Sequence, residues 1–139
     1  MWKWLAEDMR PSEWHAQRHE DRYSTGIPDI SFALAGVDGW LELKKLPEAP
    51  KNPDRIFKIP HLLPEQVLWL NGRGDAGKGH SYLLLHTGNR RSGAWSLLHY
   101  KYVADLYDGR LTFNRFVDSC SMVSAGRFDV KRFEDLLNG

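Results

Sequence analysis

The feature that most constrains this chain is a run of alternating residues interrupted by two glycines. Residues 26–45 read GIPDISFALAGVDGWLELKK, and Gly36 and Gly39 divide the run into two arms, Asp29–Leu34 and Trp40–Lys45. In both arms apolar residues alternate with polar or small ones, the period of a half-buried strand. Two such arms joined by a short glycine-bearing loop predict an antiparallel hairpin. Parity then sorts the side chains. Ile30, Phe32, Leu34, Leu41 and Leu43 fall on one face, Asp29, Glu42 and Lys44 on the other. A slip of one residue would turn the whole apolar set outward, so the parity is strongly specified.

The offset is a separate question. A two-residue loop at Val37-Asp38 opposes residues whose numbers sum to 75. That leaves Asp29 and Glu42 four residues apart along the ladder, roughly 13 Å at strand rise. A sum of 71 keeps the parity and sets Asp29 opposite Glu42. It requires a loop displaced toward Ala35-Gly36, or a bulge eased by Gly39. The chemistry favours this second register. Carboxylate oxygens are hard ligands suited to Mg²⁺ or Mn²⁺. A metal held by Asp29, Glu42 and the Leu43 backbone carbonyl could activate water, with Lys44 orienting that water or balancing phosphate charge. The competing reading is an ordinary hairpin with a solvated polar face.

Pro28-Asp29 followed by Glu42-Leu43-Lys44 resembles the PD-(D/E)XK nuclease signature. The fuller wording, Gly26-Ile27-Pro28-Asp29 and then Gly39-Trp40-Leu41-Glu42-Leu43-Lys44, looks most like the VRR-NUC branch of phage and bacterial nucleases. Those enzymes are similar in core to archaeal Holliday-junction resolvases, and the resemblance covers about residues 14–86. It implies an α/β, restriction-endonuclease-like fold: a small mixed sheet flanked by helices, with the active site on the hairpin. It implies Mg²⁺- or Mn²⁺-dependent hydrolysis of DNA phosphodiester bonds, selective for junctions, flaps or nicks and leaving 5′-phosphates. Asp29 and Glu42 would bind metal, and Lys44 would position or activate water. Relatives often carry an extra metal-site acid upstream, for which Glu7 and Glu20 are the candidates. They also often carry a glutamine at the start of the helix after the ExK strand, which here is Gln66. Cutting a two-fold symmetric junction would require a homodimer. The rival from another class is a non-catalytic DNA-binding or protein-interaction module on the same fold.

The rest of the chain is consistent with one domain over residues 1–139, with a core at about 14–102 and a helical segment at 103–139. No apolar run is long enough to span a bilayer. The N-terminal MWKWLAEDMR is charged throughout, unlike a secretory signal. A single cysteine, Cys120, allows no internal disulfide and suits a reducing cytoplasm. The formal net charge is only +1, so a DNA-binding surface must be a local patch. Residues 1–9 predict a short helix and 14–20 a strand, with 21–26 a loop in which Tyr23–Thr25 could touch DNA backbone. Arg18 is placed to contact a phosphate or to pair with Glu20. His15 and His19 have no cysteine nearby to complete a zinc site.

Between residues 46 and 64 five prolines exclude helix and central strand. With Lys45, Lys51, Arg55 and Lys58, this segment reads either as a DNA-contacting flap or as a solvated loop. Pro64 opens a helix predicted over 64–72, burying Val67, Leu68 and Leu70 or Trp69. Gly72–Lys78 matches G-x-x-x-x-G-K, but Gly79 replaces the metal-holding hydroxyl and the segment leads from helix to strand, so a P-loop is rejected. Strands are predicted at 81–86 and 94–102, and between them Arg90 and Arg91 read as an exposed turn or a phosphate contact. Helical turns follow at 103–107, 113–120 and 129–137.

Overall fold

The alternation over residues 29–45 folds as a hairpin. The computed structural model describes residues 1–20 and 26–139. In it β1 (His15–Arg18) pairs antiparallel with β2 (Ile30–Leu34), which pairs antiparallel with β3 (Val37–Leu46). The β2–β3 ladder runs from Leu34↔Val37 to Ile30↔Leu41, the register whose numbers sum to 71. The turn is therefore Ala35-Gly36 and not Val37-Asp38. Ala35 and Gly36 both have positive φ, 53° and 78°. Two successive positive φ values are the signature of the type I′ turn, whose twist matches that of the strands it joins. Gly39 pairs regularly with Phe32, so no bulge is needed there.

Beyond the hairpin, β4 (Ser81–Thr87) lies parallel to β3, and β5 (Ala94–His99) and β6 (Met122–Ala125) continue antiparallel. The result is a six-stranded mixed sheet in the order β1-β2-β3-β4-β5-β6. A parallel step needs a crossover. Here it is the proline-rich segment followed by α2 (Pro64–Ala76). The other helices are α1 (Trp2–Asp8), α3 (Val103–Tyr107), α4 (Phe113–Ser119) and α5 (Val130–Asn138). The fold is α/β, a mixed sheet flanked by helices, as expected. No helix among the described residues is long and apolar enough to cross a membrane.

Two cores lie on opposite faces of the sheet. On one, Ile30, Phe32, Leu41, Leu84 and Leu97 pack with Leu5, Met9, Phe128 and Phe133 of the terminal segments. On the other, Leu83, Leu85 and Leu98 pack with Phe57, Ile59 and Leu62 of the crossover, Val67 and Leu70 of α2, and Phe116 of α4. Every residue of β4 is buried, as its unbroken apolar run predicts for a strand covered on both sides.

Several expectations are corrected. Helix α2 does not stop at residue 72 but continues through Gly74 to Ala76. Gly74 is buried against the Tyr100 ring, where any larger residue would clash, and that close packing offsets the poor helix propensity of glycine. Leu68 is not buried but 72% exposed, whereas Trp69 is half-buried. The strand predicted to reach residue 102 ends at His99 in a 3₁₀ turn, Tyr100–Tyr102. The segment 103–139 is not wholly helical, because β6 forms the sheet's far edge. Of the loop predicted at 21–26, residues 21–25, and with them the expected DNA contact of Tyr23, Ser24 and Thr25, lie outside the described residues.

Candidate functional site

Asp29 sits at the mouth of β2. Its carbonyl accepts a hydrogen bond from His19 N at 2.7 Å. β2 pairs with β3 only as far as Leu41, so the next outward-facing amide of β3 lacks a strand partner. The Asp29 carboxylate takes that place, accepting from Leu43 N at 2.8 Å. On the other edge of β3, Trp40 N donates to His80 O and Leu46 O accepts from Gly88 N. The even-numbered residues of β3 therefore bond to β4, and by the alternation of a parallel ladder Leu43 directs its backbone toward Asp29. The Leu43 carbonyl is thus outside the β3–β4 ladder.

Glu42 and Lys44 project from the same face of β3 beneath the first turn of α2. This face is not solvated: Glu42 is 2% exposed. Its Oε1 accepts from Gln66 Nε2 at 2.9 Å and lies 3.6 Å from Lys44 Nζ. Its Oε2 is buried without a hydrogen-bond partner among the described residues. Burial first, and then the adjacent Asp29 carboxylate, raise Glu42 from an ordinary carboxyl near 4.5 to about 8, and Lys44 offsets this only in part. A hydrogen bond from the protonated Glu42 carboxyl to Asp29 adds to the rise. Two carboxylates in such contact need a proton or a cation between them.

Gln66 joins the strand to the helix. Its Oε1 accepts from Leu63 N and Lys44 Nζ, each at 3.0 Å, while its Nε2 reaches Glu42. One side chain thereby caps α2 and spans the acid and the amine. Lys44 Nζ also donates to His61 O at 2.8 Å. Nothing in the sequence signals His61. It holds a left-handed φ of 63°, unusual for a non-glycine residue, and its carbonyl is turned onto the lysine. Gly26, at φ 88°, lies against the backbone of Glu65, so the Gly-Ile-Pro-Asp segment packs directly on the start of α2.

The structure thus brings Asp29, Glu42, Leu43, Lys44 and Gln66 together. It does not bring in a further acid. Glu7 lies 3.6 Å from Arg90, and Glu20 is exposed with Arg18 at 3.3 Å. Among the described residues no three His, Cys, Asp or Glu side chains converge on one point. The donor set is two carboxylates and a carbonyl, all hard oxygens, and the orphaned Glu42 oxygen fits a small divalent cation. Of the candidate DNA contacts, Lys45 turns to the opposite face and lies over the Trp4 ring, 4.4 Å from its centroid. Lys51, Arg55 and Lys58 are exposed on the crossover.

One group beside the site was not singled out by the sequence reading. Trp40, two residues before Glu42 on the same face, has His19 stacked at 5.1 Å and the Trp69 indole edge-on at 4.7 Å. The Arg73 guanidinium lies over both indoles, 5.2 Å from Trp40 and 4.8 Å from Trp69. The available signal was Trp69 followed one turn later by Arg73 on α2.

No protein-family model and no curated protein matches this chain. Among solved structures, it is similar to Hjc, a Holliday junction resolvase from the archaeal hyperthermophile Archaeoglobus fulgidus. The identity is 17%, over 70% of this chain and 72% of the other, with a TM-score of 0.49. At that level the likeness bears on neither activity nor substrate.

Proposed function

We propose that this chain is a Mg²⁺- or Mn²⁺-dependent nuclease that hydrolyses DNA phosphodiester bonds. The observation that carries the reading is the buried Glu42 carboxyl, one oxygen of which has no partner while the group abuts Asp29. Asp29, Glu42 and the Leu43 carbonyl would hold the cation. Such an ion supplies a Lewis acid that polarises the phosphodiester and lowers the pKa of water. Lys44, held by His61 O and Gln66, presents an ammonium to the phosphate charge or to the attacking water. Gln66 is a positioning residue: it fixes Glu42 and Lys44 relative to each other. Water oxygen bonds to phosphorus, the bond from phosphorus to O3′ breaks, and O3′ takes up a proton. The products are a 5′-phosphate and a 3′-hydroxyl, without a covalent enzyme intermediate. Structure-selective cutting of junctions, flaps or nicks is the finer part of this proposal, and two-fold junction cutting would add a homodimer.

The test is cleavage of supercoiled plasmid and of branched, flapped and linear oligonucleotides in Mn²⁺ or Mg²⁺. Wild type should cleave. Asp29→Ala, Glu42→Ala and Lys44→Ala should each lose on the order of a hundredfold or more, since charge stabilisation at the reacting phosphate is the main catalytic contribution. Binding of DNA without turnover in any divalent ion would overturn the enzyme reading and leave a non-catalytic module.

A further inference from the structure

The aromatic group beside the carboxylates is built unlike a core. Trp40 and Trp69 are half-buried and belong to neither hydrophobic cluster. Arg73 is exposed, lies across both indoles and has no carboxylate partner among the described residues. Two cavities adjoin this group, with volumes of about 360 and 400 Å³, and Trp40, Arg73 and Asp38 line both. One extends toward Lys78 and His80; the other runs over the polar face of β1 and β2 past Gln17 and Ser31. Trp40 and Glu42 are alternate residues of one strand face, so the platform begins roughly 7 Å from the carboxylates at strand rise.

We propose that Trp40, Trp69 and Arg73 form a stacking platform for an unpaired DNA base next to the scissile phosphate. This deepens the nuclease reading and rests on it. The outer face of the guanidinium offers a planar cation on which a base stacks, backed by two indoles. Its N–H groups and Lys78 face the flanking phosphates. A base inside a duplex cannot present its face in this way, because both of its faces are covered by its stacked neighbours. The preferred substrate therefore carries single-stranded DNA beside the cut, as a flap or a splayed arm does. Stacking of this kind tolerates any base sequence, since every base has a π-face.

The experiment is equilibrium binding in EDTA, which separates the platform from catalysis. Fluorescently labelled oligo(dT) and a blunt duplex of equal length are titrated with wild type, Trp69→Ala, Arg73→Gln and Asp29→Ala. Circular dichroism checks folding, and exposed Arg73 is the variant least able to disturb it. Wild type should bind the single strand more tightly than the duplex, with quenching of its tryptophan fluorescence. Trp69→Ala and Arg73→Gln should weaken single-strand binding about tenfold, within the range for losing one stacked base. Arg73→Gln should also lower the salt slope by about one contact. Asp29→Ala should retain single-strand binding. Equal affinity of wild type for the two DNAs, or unchanged single-strand binding in folded Arg73→Gln, would overturn the platform. Wild type that binds the single strand as described but cleaves nothing in Mn²⁺ would overturn the nuclease reading while upholding the platform's affinity for single strands.

Discussion

Glu42 is the residue on which the site's energetics turn. Its carboxyl is buried against another carboxyl and is raised to about 8. In the metal-free protein, folding therefore retains a proton that the unfolded chain releases above about 4.5. By linkage, the stabilisation is complete below the unfolded value and is lost as pH rises through about 8. Glu42→Gln keeps an acceptor for Gln66 and replaces the orphaned oxygen with an N–H donor facing Asp29. We expect this variant, in EDTA at pH 8, to melt several degrees above wild type, and the difference to shrink toward pH 4.5. A divalent cation should raise the melting temperature of wild type at pH 8 and leave that of Glu42→Gln unchanged. Thermal melts with and without Mn²⁺ check all three statements; a pH-independent difference would show that Glu42 is not held as described.

At the scale of the element, the hairpin turn carries a clear prediction. Ala35 holds a φ of 53°, a position in a type I′ turn where asparagine is preferred. Ala35→Asn should stabilise the protein by about 0.5–1 kcal/mol, a part of the roughly 1–2 kcal/mol that the left-handed conformation costs an ordinary residue, as measured by urea unfolding. Elements with strong periodicity were legible in the sequence. The hairpin's parity followed from alternation, β4 from its unbroken apolar run, and the last helix from Val130, Phe133 and Leu137, with Asp129 capping it. Its partner β6 was not legible, because Met122–Ala125 is too short for a period to emerge and follows directly on a helix. The end of α2 was missed because two glycines read as a connector, whereas packing against Tyr100 determines the outcome. The two carboxylates and the lysine of the candidate site could be placed on one face by parity alone. Gln66 came from resemblance. The His61 carbonyl could come from neither, since a left-handed residue in a proline-rich loop leaves no periodic trace.

For the molecule as a whole, the outer ends are fastened far from the site. Asp8 of α1 is buried, bonded to Arg90 Nη1 at 3.2 Å and accepting from Phe128 N at 2.8 Å. Arg90 is thus neither a free turn residue nor a phosphate contact; it ties the first helix to the β4–β5 turn. Arg90→Met should cost about 3 kcal/mol, the penalty of a buried charge left without its partner. Adding Asp8→Asn should recover part of that loss, which a double-mutant cycle by urea unfolding would measure. Neither change should affect metal binding, because the clamp lies on the opposite side of the sheet from Glu42. The central claim is that Asp29 and Glu42 share one divalent ion. Electron paramagnetic resonance titration of free Mn²⁺ against wild type, Asp29→Ala and Glu42→Ala tests it without any substrate. The account predicts one bound ion per chain in wild type and at least about tenfold weaker binding in each variant, as expected when a ligand is removed. Equal Mn²⁺ binding by all three proteins, or none by wild type, would contradict it.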